Sequence, residues 1–83
     1  MPEWETEVTE IFDEYVRENN FSSQQIRFLQ IVKAVIIQKR FIVIEDFYCD
    51  TFDKAFGMCA FDRLFRGQEQ EKVLEFVGKF SLT

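Results

Sequence analysis

Asp50, Asp53 and Lys54 are the nearest this 83-residue chain comes to side chains that could do chemistry together. A metal-dependent nuclease centre needs clustered acids that clamp the attacking and leaving oxygens, commonly with a lysine two residues beyond one acid. No Asp or Glu here precedes a Lys at that spacing. Asp50 and Asp53 therefore read as capping or solvating residues around Phe52. Glu45-Asp46 resembles a carboxylate pair, yet neighbours on a helix point apart, and acids at a helix start are favoured by the dipole. There is no His, so the usual proton-transfer group near neutral pH is missing. A phosphate loop needs glycine-rich backbone before Lys and Ser or Thr. None of Gly57, Gly67 and Gly78 has that context. Cys49 and Cys59 are too few for a zinc ribbon and read as reduced thiols. The expectation is a chain that is not an enzyme by itself, with no catalytic, cofactor-binding or metal-ligating residues.

What the chain does hold is material for a core. Hydrophobic residues are 47% of it, and eleven residues are Phe. A chain this short buries only about 60–65% of its unfolded surface, so its core must be dense. Each buried aromatic removes roughly 150–250 Å² from water. The aromatic pairs Phe52/Phe56, Phe61/Phe65 and Phe76/Phe80 stand one helical turn apart. They read as core, because a domain of this size has no other material for one.

The elements follow from periodicity. Trp4, Val8, Ile11, Phe12 and Tyr15 recur at helical spacing, so a first amphipathic helix is expected from about Trp4 to Glu18, ended by Asn19-Asn20. Ser22 and Gln25 form a capping box for a second helix, with Phe21 placed to staple onto Ile26. That helix should run to Lys39 or Arg40. Its apolar residues Phe28, Leu29, Ile31, Val32, Val35 and Ile36 cover nearly half the wheel, and Ile37 adds the far side, so it should lie centrally. Phe41–Ile44 is rich in β-branched residues but has no matching strand, so it reads as a connector into a short helix around Glu45–Cys49. Gly57 and Gly67 are expected breaks. A last helix is expected from Gln68 to about Phe80, with Val73, Val77 and Phe80 inward. The fold class expected is all-α, a small compact bundle of four to six helices around a central apolar helix, as a single domain over residues 1–83.

Charge is uneven. Residues 1–20 hold seven acids and one base, and residues 21–83 hold eight acids and nine bases, within a net charge of −5. No basic stripe marks a nucleic-acid backbone site, so direct nucleic-acid binding is not expected. No apolar run approaches the roughly 18–20 residues that span a bilayer, and the acidic start lacks the order of a signal peptide. A cytoplasmic location is expected, with no membrane partner and no small-molecule substrate. The exposed acids Glu7, Glu10 and Glu14 are the candidate docking face.

An ordered train of landmarks resembles the C-terminal domain of the restriction (R) subunit of type I restriction-modification enzymes, in the EcoEI-like branch. The family's Leu-Thr-x-x-Gln-x-x-Phe-Leu segment is similar to Phe21-Ser22-Ser23-Gln24-Gln25-Ile26-Arg27-Phe28-Leu29, slightly offset. Its Ile-x-x-Glu-Asp-Leu element resembles Ile42-Val43-Ile44-Glu45-Asp46-Phe47, and its Pro-Phe step is similar to Thr51-Phe52. A glycine turn corresponds to Gly57, and a Leu-Phe-Gly step to Leu64-Phe65-Arg66-Gly67. The chain departs where Thr51 stands for Pro, where Gly57 stands for a double glycine, and where Val77-Gly78-Lys79 lacks the family's Asn. The likeness runs from about Val8 to the C-terminus. It implies a C-terminal fragment of a larger R subunit whose parent is an ATP-driven DNA translocase and endonuclease, using ATP and Mg. It further implies an assembly role, docking to the methyltransferase and specificity subunits. The alternative expectation is a free-standing helical protein–protein interaction adaptor, whose acidic first helix would suit a basic partner.

Overall fold

Helices form where the periodicity places them, and short-range hydrogen bonds set their ends. A computed structural model describes residues 2–42 and 50–81, with side chains for 3–42 and 52–81. The chain divides into two compact units, Met1–Arg40 and Phe41–Thr83.

In the first unit, α1 (Pro2–Glu18) packs against α2 (Ser23–Lys39). Glu3 and Glu5 occupy the first turn of α1 and Arg17 the last, as the helix dipole favours. The Asn19 side chain donates to the Tyr15 carbonyl at 2.8 Å, closing the end of α1. The Tyr15 and Phe21 rings lie 5.5 Å apart across the connection. The expected capping box is present. The Gln25 N–H donates to Ser22 Oγ at 3.2 Å, and the Ser22 N–H donates to Gln25 Oε1 at 2.8 Å. Gln25 is thereby satisfied although buried. Val8 and Phe12 of α1 are buried, as are Phe28, Leu29, Val32 and Ile36 of α2. Every Ile, Val, Leu and Phe of α2 is buried or half-buried, as expected of the central apolar helix.

The end of α2 is unusual. Arg40 caps it in the left-handed region, at φ 72°, and its N–H donates to the Ile36 carbonyl at 2.8 Å. Glycine is the ordinary occupant of such a cap. The Arg40 guanidinium lies 5.2 Å from the centroid of the Trp4 ring, a cation–π contact that acts against the backbone cost.

In the second unit, α3 (Asp50–Phe56), α4 (Ala60–Leu64) and α5 (Gln68–Val77) follow in order. Gly57 and Gly67 break the chain as expected, at φ 98° and 60°. At Gly57 the left-handed backbone is what calls for glycine, since a Cβ there would crowd only the mobile end of Arg63, at 3.0 Å. Phe52, Phe61, Phe65, Val73, Phe76 and Val77 are buried. The Phe61 and Phe65 rings are 5.6 Å apart, and those of Phe76 and Phe80 are 6.3 Å apart. The last helix stops at Val77, earlier than the expected Phe80, and Gly78–Phe80 tighten into a 3-10 turn. Phe80 is only half-buried, while Phe76 is buried beside Val73 and Val77. Ile42 finds a backbone partner that no periodicity announces. Its N–H donates to the Phe80 carbonyl at 3.0 Å, in an isolated parallel bridge with Ser81. The helix expected around Glu45–Cys49 lies outside the described residues. Among the described residues, five α-helices and one isolated bridge place the chain in the all-α class.

Phe65→Ala should cost about 3–5 kcal/mol and leave the chain largely unfolded at room temperature, as read by the loss of helical circular dichroism. At the α2 cap, Arg40→Gly should melt higher than Arg40→Ala by about 1 kcal/mol. Both lose the Trp4 contact, but only glycine relieves the left-handed backbone. Equal thermal stability of the two variants would contradict this account of the cap.

Candidate functional site

The acids of α1 are arranged by the same periodicity that buries its apolar stripe. Val8 and Phe12 point inward, so Glu3, Glu7, Glu10 and Glu14 align on the opposite side of the helix. Glu7, Glu10 and Glu14 are all exposed. They are one continuous line of carboxylates, spaced three and four residues apart.

Ile11 corrects the expected stripe. It has the spacing of a core residue but is 41% exposed. On the wheel it stands at the edge of the apolar face, one turn from both Glu7 and Glu14. The structure thus brings an apolar contact point together with the three acids. Spacing alone did not decide its place, because one turn from Ile11 stand both the acids Glu7 and Glu14 and the apolar-stripe residues Val8 and Tyr15. Met58, in the turn between α3 and α4, is the other large hydrophobic residue exposed among those described, at 80%.

Of the groups nearest to a catalytic set, Asp53 is engaged by the backbone. Asp53 Oδ1 accepts the N–H of Ala60, the first residue of α4, at 3.4 Å, a bond to the next helix and not to the chain around Phe52. Asp50 is the first residue of α3. Glu45, Asp46 and Cys49 lie outside the described residues. Cys59 is exposed and unpaired by any disulfide, and it stands in the left-handed region at φ 55°. Among the described residues, no three acids, cysteines or histidines group as metal ligands would. Surface depressions lie over Glu5, Thr6, Thr9 and Glu10 of α1 and over Gln68, Glu71, Lys72 and Glu75 of α5. Each of these sets comes from one helix alone. No helix among the described residues is long and apolar enough to cross a membrane.

Two polar positions missed by spacing prove structural. The Arg63 guanidinium donates to the carbonyls of Phe56 and Met58, across the turn from α3. Gln70 of α5 donates to the Phe65 carbonyl at 2.8 Å and to Asp62 Oδ1 at 3.0 Å, tying α5 back to α4. Their partners lie five to eight residues away, beyond the one-turn pairs that a helical pattern reveals.

Since Glu7, Glu10 and Glu14 touch only solvent on their outer side, changing all three to Lys should move stability by about 0.5 kcal/mol per site or less, and the helical circular dichroism should be retained. A chain that unfolds on this change would show the acids to be part of the framework.

A family model described as EcoEI R protein C-terminal matches residues 2–79. No curated protein and no solved structure matches the chain.

Proposed function

The chain belongs to the EcoEI R protein C-terminal family, found in the R subunit of type I restriction enzymes, and on that premise we propose that it is a non-catalytic assembly domain. It docks the R subunit onto the methyltransferase–specificity core in the cytoplasm, where the parent enzyme couples ATP and Mg to DNA translocation and cleavage. The observation that carries this reading is the extent of the match. Residues 2–79 run from α1 to the turn after α5, so the match takes in all five described helices. A framework of helices with an exposed charged face is suited to holding another protein.

The exposed side of α1 is the proposed contact. Glu7, Glu10 and Glu14 supply a negative line that steers a basic surface into register. Ile11 supplies an apolar point beside it that loses water on contact. In such an arrangement the charges at the rim govern the on-rate and the salt dependence, and the desolvated apolar contact slows release.

The test is a pull-down of methyltransferase and specificity subunits by the 83-residue chain, combined with activity assays. The wild-type chain should bind them, and should neither hydrolyse ATP nor cut DNA. The Glu7→Lys, Glu10→Lys and Glu14→Lys triple variant should bind more weakly, with an altered dependence on salt. No binding by the folded wild-type chain would exclude the assembly role. Binding indifferent to the charge reversal would move the interface away from α1.

A further inference from the structure

The end of α2 carries two local costs at a single contact. The Arg40 backbone is left-handed, at φ 72° and ψ 2°, where a Cβ crowds the neighbouring carbonyl. Its guanidinium lies over half-buried Trp4, whose Nε1 is buried and has no hydrogen-bond partner among the described residues. A donor in that position has lost its bond to water without a replacement. Two interactions act the other way. The Arg40 N–H donates to the Ile36 carbonyl, and the exposed Arg40 side chain makes its cation–π contact with Trp4. Each of these is of the same modest size as each cost, so the balance is close.

The contact also stands at a junction. Arg40 is the last residue of the first compact unit, and the second begins at Phe41. Two residues on, the Ile42 N–H is already bonded to the Phe80 carbonyl, within the second unit. A change of φ and ψ at Arg40 therefore redirects the chain where it leaves α2. Hinges are commonly such residues at the end of an element, and backbone strain collects at switches. We infer that Trp4 and Arg40 form a latch on a hinge at residue 40, which opens and closes while the rest of the chain stays folded.

This structure is the closed state, with the guanidinium on the indole and the backbone left-handed. In the open state Arg40 takes an ordinary backbone conformation, the guanidinium leaves the ring, and the indole turns its N–H to water. Opening removes both costs and gives up the cap bond and the ring contact, so the folded chain populates both states. Whatever binds one state better than the other sets the balance. The open state frees a donor on Trp4 and five donors with a positive charge on Arg40. A carboxylate brought to either group holds the latch open.

Trp4 is the only tryptophan of the chain, so its indole N–H gives a single signal in nuclear magnetic resonance. Nitrogen-15 relaxation dispersion on the 83-residue chain should show exchange between microseconds and milliseconds at the Trp4 indole and at the Arg40 amide, with one common rate constant. Val32, buried in the middle of α2, should show none. Arg40→Gln removes the cation at an exposed position and should retain the helical circular dichroism. It should speed solvent exchange of the indole proton about two- to fivefold, the shift in population that loss of an exposed cation–π contact gives. Flat dispersion at Trp4 and Arg40 overturns the inference, as do two different rate constants. Exchange shared with Val32 reports global unfolding and overturns it too, as does an indole proton indifferent to Arg40→Gln. The wild-type measurement decides the matter even where the variant fails to fold. No partner enters the experiment, so the latch and the docking proposal stand or fall separately.

Discussion

Closing the ends of short helices is the constraint on which the rest of this structure depends. Each α-helix leaves about four N–H and four C=O groups without partners inside itself. α4 is five residues long, so nearly all of its backbone groups are terminal ones. The chain meets this demand with side chains as well as turns. Ser22 and Gln25 close the start of α2 reciprocally, and Asp53 reaches the first N–H of α4. Arg63 takes carbonyls of the turn behind it, and Gln70 takes the carbonyl of Phe65 just past α4. Without these bonds, helices of five to ten residues would be marginal in water, since isolated helices need about 12–15 residues even with favourable sequences.

The aromatic core is the counterpart of that constraint. Short helices present few side chains each, so each inward position must bury a large area. Phe28, Phe52, Phe61 and Phe65 are almost wholly buried, and their rings supply that area. Gly57 and Gly67 let the chain turn sharply enough between helices to keep those rings inside. The two features need each other. The rings give the packing that stabilises helices too short to stand alone, and the caps satisfy the backbone that the packing draws out of water.

The surface divides by charge along the same lines. α1 carries the acids and α2 carries none, although the two helices pack together. The outer side of α1 is therefore negative, whereas the charged residues of α2, Arg27, Lys33 and Lys39, are all basic. The two outward faces of this helical pair therefore differ in charge.

Much of this was legible in the sequence, because local rules act over three or four residues. The two long helices, the capping box at Ser22 and Gln25, the breaks at Gly57 and Gly67 and the ring pairs at one-turn spacing were all read from neighbours along the chain. The ordered landmarks carried the family as well. What only the tertiary structure decided were contacts at longer range and positions at the edge of a face. Ile11 has core spacing yet faces solvent, since a wheel gives an angle but not where the neighbouring surface ends. Ile42 pairs with the chain near Ser81, 39 residues later, which no periodicity encodes. Arg40 holds a glycine-like backbone, and folding brings Trp4, 36 residues earlier, beneath its guanidinium. Spacing along a chain specifies which residues share a face, and only packing specifies what that face meets.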